Sequence, residues 1–103
     1  MLKRVNLLSE GWWTMKHKIL WQQGAWEDYC YWIETDKKIV KKINELIKAI
    51  DRDPYSGIGK PEPLLHGLQG YWSRRINREH RLVYSVNEEA LIILSCRHHY
   101  ELS

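Results

Sequence analysis

Near the end of the chain, four groups able to bind charge or exchange protons stand in a row, Arg97-His98-His99-Tyr100, directly after the apolar run Leu91-Ile92-Ile93-Leu94. Imidazole is the side chain whose unperturbed pKa lies closest to neutrality, so a fixed histidine there can give or take a proton at working pH. Arg75 and Arg81 lie upstream in stretches of strand-like composition. A guanidinium offers a rigid fork of donors that matches phosphate oxygens, so an imidazole grouped with two or three arginines suits a phosphate ester. The plain alternative is an exposed sheet face whose arginines pair with Glu62, Glu79 or water. Glu62 stands between two prolines in Lys60-Pro61-Glu62-Pro63-Leu64. Flanking prolines restrict the backbone and aim that carboxylate at little further entropy cost, although a loop carboxylate paired with Lys60 would look the same in sequence.

The elements that must position these groups follow from periodicity. Residues 17–22 contain Ile19, Leu20 and Trp21 and predict a first strand, with Gly24 marking its end. Trp26, Tyr29, Cys30 and Ile33 then recur at helical spacing. Thr35-Asp36 interrupts that stripe and caps a second helix, in which Ile39, Val40, Ile43, Leu46, Ile47 and Ile50 form the apolar face. Lys37, Lys38, Lys41, Lys42 and Lys48 lie mostly outside that face, as a solvated surface would. Asp53-Pro54 ends the helix and residues 55–63 read as a loop. Strands follow at 71–77, 80–86 and 90–97, with turns near Arg78-Glu79 and at Asn87-Glu88-Glu89. The expected architecture is α+β: a first strand, two packed helices, then an antiparallel sheet with one face open to a ligand.

Strand side chains alternate between faces. On that basis Arg81, Val83 and Ser85 oppose the core set Leu82, Tyr84 and Val86, and Arg97 with His99 opposes Cys96 with His98. The same alternation separates Arg74 from Arg75 without deciding which of them joins Arg81.

Length and composition restrict the class. A chain of 103 residues that is 44% hydrophobic supports one core. Lys and Arg exceed Asp and Glu by 16 to 13, and the pI of about 8.9 favours an anionic partner. Cys30 and Cys96 read as separate thiols in a reducing compartment, and the histidines have no metal-ligand spacing, so no metal or other cofactor is expected. The absence of a membrane-length apolar stretch points to a cytoplasmic protein. Residues 1–14, with Ser9-Glu10-Gly11 and Trp12-Trp13, have no sustained period and read as an appended segment before a single domain over 15–103.

Five motifs carry a resemblance to a known family: Glu34-Thr35-Asp36-Lys37, the run from Ile39 to Lys48, Gly59-Lys60-Pro61-Glu62-Pro63-Leu64, Trp72-Ser73-Arg74-Arg75-Ile76 and Glu79-His80-Arg81-Leu82-Val83-Tyr84. They closely resemble the YoeB toxins of the RelE superfamily, from about Leu20 to Tyr100. The resemblance implies a microbial RNase-like fold and a ribosome-associated endoribonuclease that cuts messenger RNA in the A site. It also implies a homodimer and a YefM-like antitoxin as partner. Carried over position by position, it makes Glu62 the general base, Arg81 the transition-state arginine and His99 the general acid. Arg75 becomes a further phosphate-binding arginine and Tyr100 the terminal aromatic. The family has a lysine three positions after the glutamate where this chain has Leu65, which leaves Lys60 as the cation near in sequence. Glu101-Leu102-Ser103 extends past the tyrosine at which similar toxins finish. Lys41 and Lys42 are the candidate contact with ribosomal RNA. Two rival functions are an antitoxin-binding module that regulates its own operon, with weak activity, and a nuclease acting on free RNA.

Overall fold

One residue divides the helical layer. Asp36 is extended (φ −155°, ψ 97°), and its carboxylate accepts from the amides of Lys38 (3.0 Å) and Ile39 (3.4 Å) in the first turn of the helix that follows, where amides lack the usual intrahelical acceptors. The computed structural model describes residues 15–98. In it α1 spans Gln23–Thr35 and α2 spans Lys37–Arg52, so the cap lies where the sequence put it. The apolar face of α2 is buried as expected through Ile39, Ile43, Leu46, Ile47 and Ile50.

Helix α1 differs from its expectation. It buries Ala25, Tyr29 and Trp32, while Trp26 and Ile33 are each 48% exposed. Hydrogen bonding accounts for the rotation. The Tyr29 hydroxyl donates to Asn44 Oδ1 (2.7 Å), and Trp32 Nε1 donates to the Cys96 carbonyl (2.9 Å), so these two rings enter the core with their polar tips satisfied. Gly24 does not end the first strand but sits in the first turn of α1.

Five strands form one sheet in the order β1-β5-β4-β3-β2: β1 Lys18–Trp21, β2 Glu62–Pro63, β3 Trp72–Arg75, β4 Arg81–Val86 and β5 Ala90–Ser95. The last three make the expected antiparallel meander, and β1 joins the β5 edge in parallel. Residues 62–63, read as loop from their prolines, form a short edge strand against β3. An edge strand bonds on one side only and so tolerates proline. Together the two helices cover one sheet face, where Leu82, Tyr84, Leu91 and Ile93 meet Ile43, Leu46, Ile47 and Ile50.

The final strand stops at Ser95, two residues short of expectation. Its register slips where Val83 pairs with Ser95 and Tyr84 with Ile93, which leaves Leu94 as the extra residue. Beyond it, α1 takes the backbone of Cys96: Asp28 Oδ2 accepts from its amide (3.0 Å) and Trp32 donates to its carbonyl. Groups spent on a helix cannot extend a ladder. Cys30 and Cys96 are both free thiols, and burial pushes the Cys96 thiol well up.

At the other end of the domain the Asp51 carboxylate, 2% exposed, accepts from the amides of Lys16 and His17 and meets His17 Nδ1 at 2.8 Å. That ties the approach to β1 onto the last turn of α2. Among the described residues, no helix is long and apolar enough to cross a membrane.

Candidate active site

Sheet register assembles the site. Paired residues of an antiparallel sheet share a face, and so do residues two apart on one strand. Glu62 pairs with Ser73, Ser73 with Val83, and Arg75 with Arg81. Glu62, Arg75 and Arg81 therefore project from the face opposite the helices, across three adjacent strands spaced about 4.8 Å apart. Val83 and Ser73 form the floor between them, 0% and 6% exposed. This settles the ambiguity that alternation alone left open. Arg75, exposed, joins Arg81, and Arg74 turns into the protein.

Arg74 is the residue that sequence reasoning undervalued. It is fully buried, and its guanidinium donates to the carbonyls of Asp53 (2.7 Å), Ser56 (2.9 Å) and Ile58 (3.0 Å) and to the Tyr84 hydroxyl (3.1 Å). One side chain thus binds the whole loop between α2 and Glu62. The Tyr84 hydroxyl in turn donates a hydrogen bond to the Pro54 carbonyl (2.6 Å). Within the same loop Asp53 accepts from the Ser56 hydroxyl and the Tyr55 amide, which hold its carboxyl below the usual range. Gly59 completes the approach at φ 83°, its carbonyl accepting from the Arg75 amide (2.7 Å). A signal for Arg74 was present: two consecutive arginines on a strand cannot share a face, and the one facing the core needs carbonyls, which an irregular loop supplies.

Arg81 is held from behind. Its Nη1 donates to the carbonyls of Asn77 (2.7 Å), His80 (3.1 Å) and Arg78 (3.4 Å), all at the β3–β4 turn. Burial, and then the charge of Arg75, lowers its pKa, while the Glu62 carboxylate acts in the opposite sense. It remains a cation throughout the physiological range. Two guanidinium groups directly opposite each other repel, and the arrangement gains most when an anion lies between them.

The other expected site residues are distributed unevenly. Lys60 is exposed with φ 51°, immediately before Pro61 on the approach to Glu62. Lys41 and Lys42 lie on α2, across the sheet from the arginine face. His99 and Tyr100 fall outside the described residues. Strand alternation cannot separate His98 from His99 as expected, because β5 has already ended and His98 is left-handed at φ 67°. The chain leading up to them is held by three contacts. Arg97 stacks over the Tyr31 ring (3.7 Å), the His98 amide donates to His80 Nδ1 (2.7 Å), and the His98 carbonyl accepts from the Arg81 amide (3.1 Å). This fold of the tail also brings ligand atoms of Glu79, His80 and His98 within 4.8 Å of one another, a grouping that linear spacing did not reveal.

Residues 21–100 match a family model described as the YoeB-like toxin of bacterial type II toxin-antitoxin systems. The chain belongs to the YoeB-like toxin family. Toxin YoeB of Escherichia coli (strain K12) is 61% identical over 83 residues, covering 81% of this chain and 99% of that one. A YoeB dimer from Staphylococcus aureus shares 55% identity, with a TM-score of 0.79 over 82% of this chain and 99% of that one. The YoeB of a heterotetrameric YoeB-YefM complex from the same organism, 55% identical, has a TM-score of 0.76 over 82% and 98%. The motifs and the α+β fold thus agree on a type II toxin of the YoeB family. Leu65, where the resemblance implies a lysine, is 62% exposed.

Proposed function

We propose that this YoeB-like toxin is a ribosome-dependent endoribonuclease, which cuts messenger RNA in the A site and so inhibits translation. The observation that supports it is the shared face of Glu62, Arg75 and Arg81, a carboxylate beside two cations with one guanidinium braced by three carbonyls. Glu62 removes the proton of a ribose 2′-hydroxyl, and the oxygen attacks the adjacent phosphorus. His99, one peptide bond beyond the fixed His98, protonates the departing 5′-oxygen. The products are a 2′,3′-cyclic phosphate and a 5′-hydroxyl. Arg75 and Arg81 stabilise the charge that builds on the non-bridging oxygens, and cations already held in place do this without reorganising. Lys60 adds positive charge on the approach to the site, and Tyr100 stacks on a base or aligns the phosphate. Both proton transfers are carried by side chains, each contributing about 10²- to 10⁴-fold.

The ribosome's part is to hold the messenger bent in an in-line geometry that a small enzyme would otherwise have to impose. Lys41 and Lys42 contact ribosomal RNA. A YefM-like antitoxin is the inhibitory partner, and the toxin forms a homodimer. The relatives solved as a YoeB dimer and as a YoeB-YefM complex support both assignments. Inducible expression of wild type beside His99→Ala tests the reading. Growth arrest with wild type alone, and messenger cuts that require ribosomes, are the expected results; arrest with both proteins or with neither contradicts a nuclease that uses His99.

A further inference from the structure

His80 has no part in the chemistry just proposed, yet it is buried at the junction of three segments. Its ring stands edge-on to Trp32 of α1 (4.7 Å between centroids, 72° between planes) and lies 5.5 Å from the His98 ring. The Asn77 side chain accepts from its amide (2.7 Å). Its Nδ1 accepts from the His98 amide (2.7 Å), and its Nε2 lies 3.6 Å from Glu79 Oε2. The His98 peptide is therefore gripped on both sides, its N–H by the His80 imidazole and its C=O by the amide of Arg81. His98 is left-handed at φ 67°, a conformation that a residue other than glycine keeps only when its surroundings compensate. These two hydrogen bonds are that compensation.

We propose that His80 is a positioning residue: by accepting at Nδ1 it locks the His98 peptide against Arg81, and so fixes the point from which the chain continues to His99 and Tyr100. This rests on the reading of His99 as the general acid. The competing use of the same groups is a metal site, since Glu79, His80 and His98 bring their ligand atoms within 4.8 Å. The tautomer separates the two. An Nδ1 that accepts from an amide carries no proton, so the neutral ring holds its hydrogen on Nε2 and has no lone pair there for a cation. A ligating histidine shows the reverse, with the far nitrogen donating.

The clamp also works only while the ring is neutral, because protonation turns Nδ1 into a donor facing another donor. Burial is the main cause that holds the imidazole below its ordinary value. Glu79 opposes that shift, and the charges of His98, Arg97 and Arg81 add to it. Trp32, from α1, is uncharged. At neutral pH the acceptor is available.

Three measurements on the full chain test this. Ring ¹⁵N shifts of wild type at neutral pH should report the Nε2–H tautomer, unchanged by added zinc; an Nδ1–H tautomer, or a shift on zinc addition, overturns the clamp. The His98 amide should exchange slowly, and its protection should vanish in parallel with protonation of His80 as pH falls; fast exchange at neutral pH overturns it too. His80→Asn, whose Oδ1 takes the place of Nδ1, should keep messenger cleavage within about threefold, whereas His80→Phe, which keeps a ring and lacks the acceptor, should lose about 10²-fold in kcat at unchanged KM. Equal kcat in both variants contradicts the proposal. If wild type cuts no RNA, the nuclease reading fails, and the tautomer and exchange data still decide whether the clamp exists.

Discussion

Arg74 and Arg75 are neighbours in sequence with the same side chain and opposite duties. Arg74 is spent on four acceptors inside the molecule, whereas Arg75 stands exposed across from Arg81. Arg74→Met leaves three carbonyls and a buried hydroxyl short of a donor, which should cost about 3 kcal/mol or more and lower the urea midpoint sharply. Arg75→Met should change stability by less than about 0.5 kcal/mol, because it removes an exposed charge and relieves repulsion with Arg81. Its effect should appear in cleavage instead. Urea titrations of the two variants side by side check the contrast, and equal destabilisation would remove the division of labour. Of this pair, alternation gave two opposite directions but no means to choose between them. The choice depends on which strand face the helices cover, and on a loop whose carbonyls turn inward, and neither is a local property of the strand.

The elements most legible in sequence were those with long periods. Helix α2 and its Asp36 cap came directly from apolar spacing and a capping side chain. Helix α1 was found but rotated, because apolarity alone ranks Trp26 and Ile33 as core, whereas hydrogen bonds from Tyr29 and Trp32 decide the buried face. The end of β5 was missed for a non-local reason, the capture of the Cys96 backbone by α1. The loop before Glu62 was seen to be irregular, yet its precision was not visible. There Gly59 carries a specific demand. A Cβ would lie 2.8 Å from Leu46 Cδ2 and 3.1 Å from Arg74 Cβ, at a φ of 83° that disfavours side chains in any case. Gly59→Ala should therefore destabilise by about 1–3 kcal/mol and displace the Arg75 amide from its 2.7 Å bond to the Gly59 carbonyl. Thermal unfolding together with amide exchange at Arg75 tests both, and a variant as stable as wild type would contradict the tight approach.

At the scale of the whole molecule the sheet separates two surfaces. Glu62, Arg75 and Arg81 occupy one side, and α2 with Lys41 and Lys42 covers the other. Under the proposed function, engagement of ribosomal RNA through the helix would leave the arginine face free for the messenger. Reversing both charges, Lys41→Glu with Lys42→Glu, should weaken ribosome binding and reduce its salt dependence while leaving the fold intact, and binding indistinguishable from wild type would remove α2 from that interface. The central claim concerns the chemistry on the opposite face, and one substrate tests it most directly. A messenger bound to ribosomes is prepared with a single 2′-deoxy nucleotide at the cut position, beside its all-ribose counterpart. The ribose messenger should be cut to a 2′,3′-cyclic phosphate and a 5′-hydroxyl, and the deoxy messenger should survive intact, because it lacks the nucleophile from which Glu62 would take a proton. Equal cleavage of the two would contradict the account.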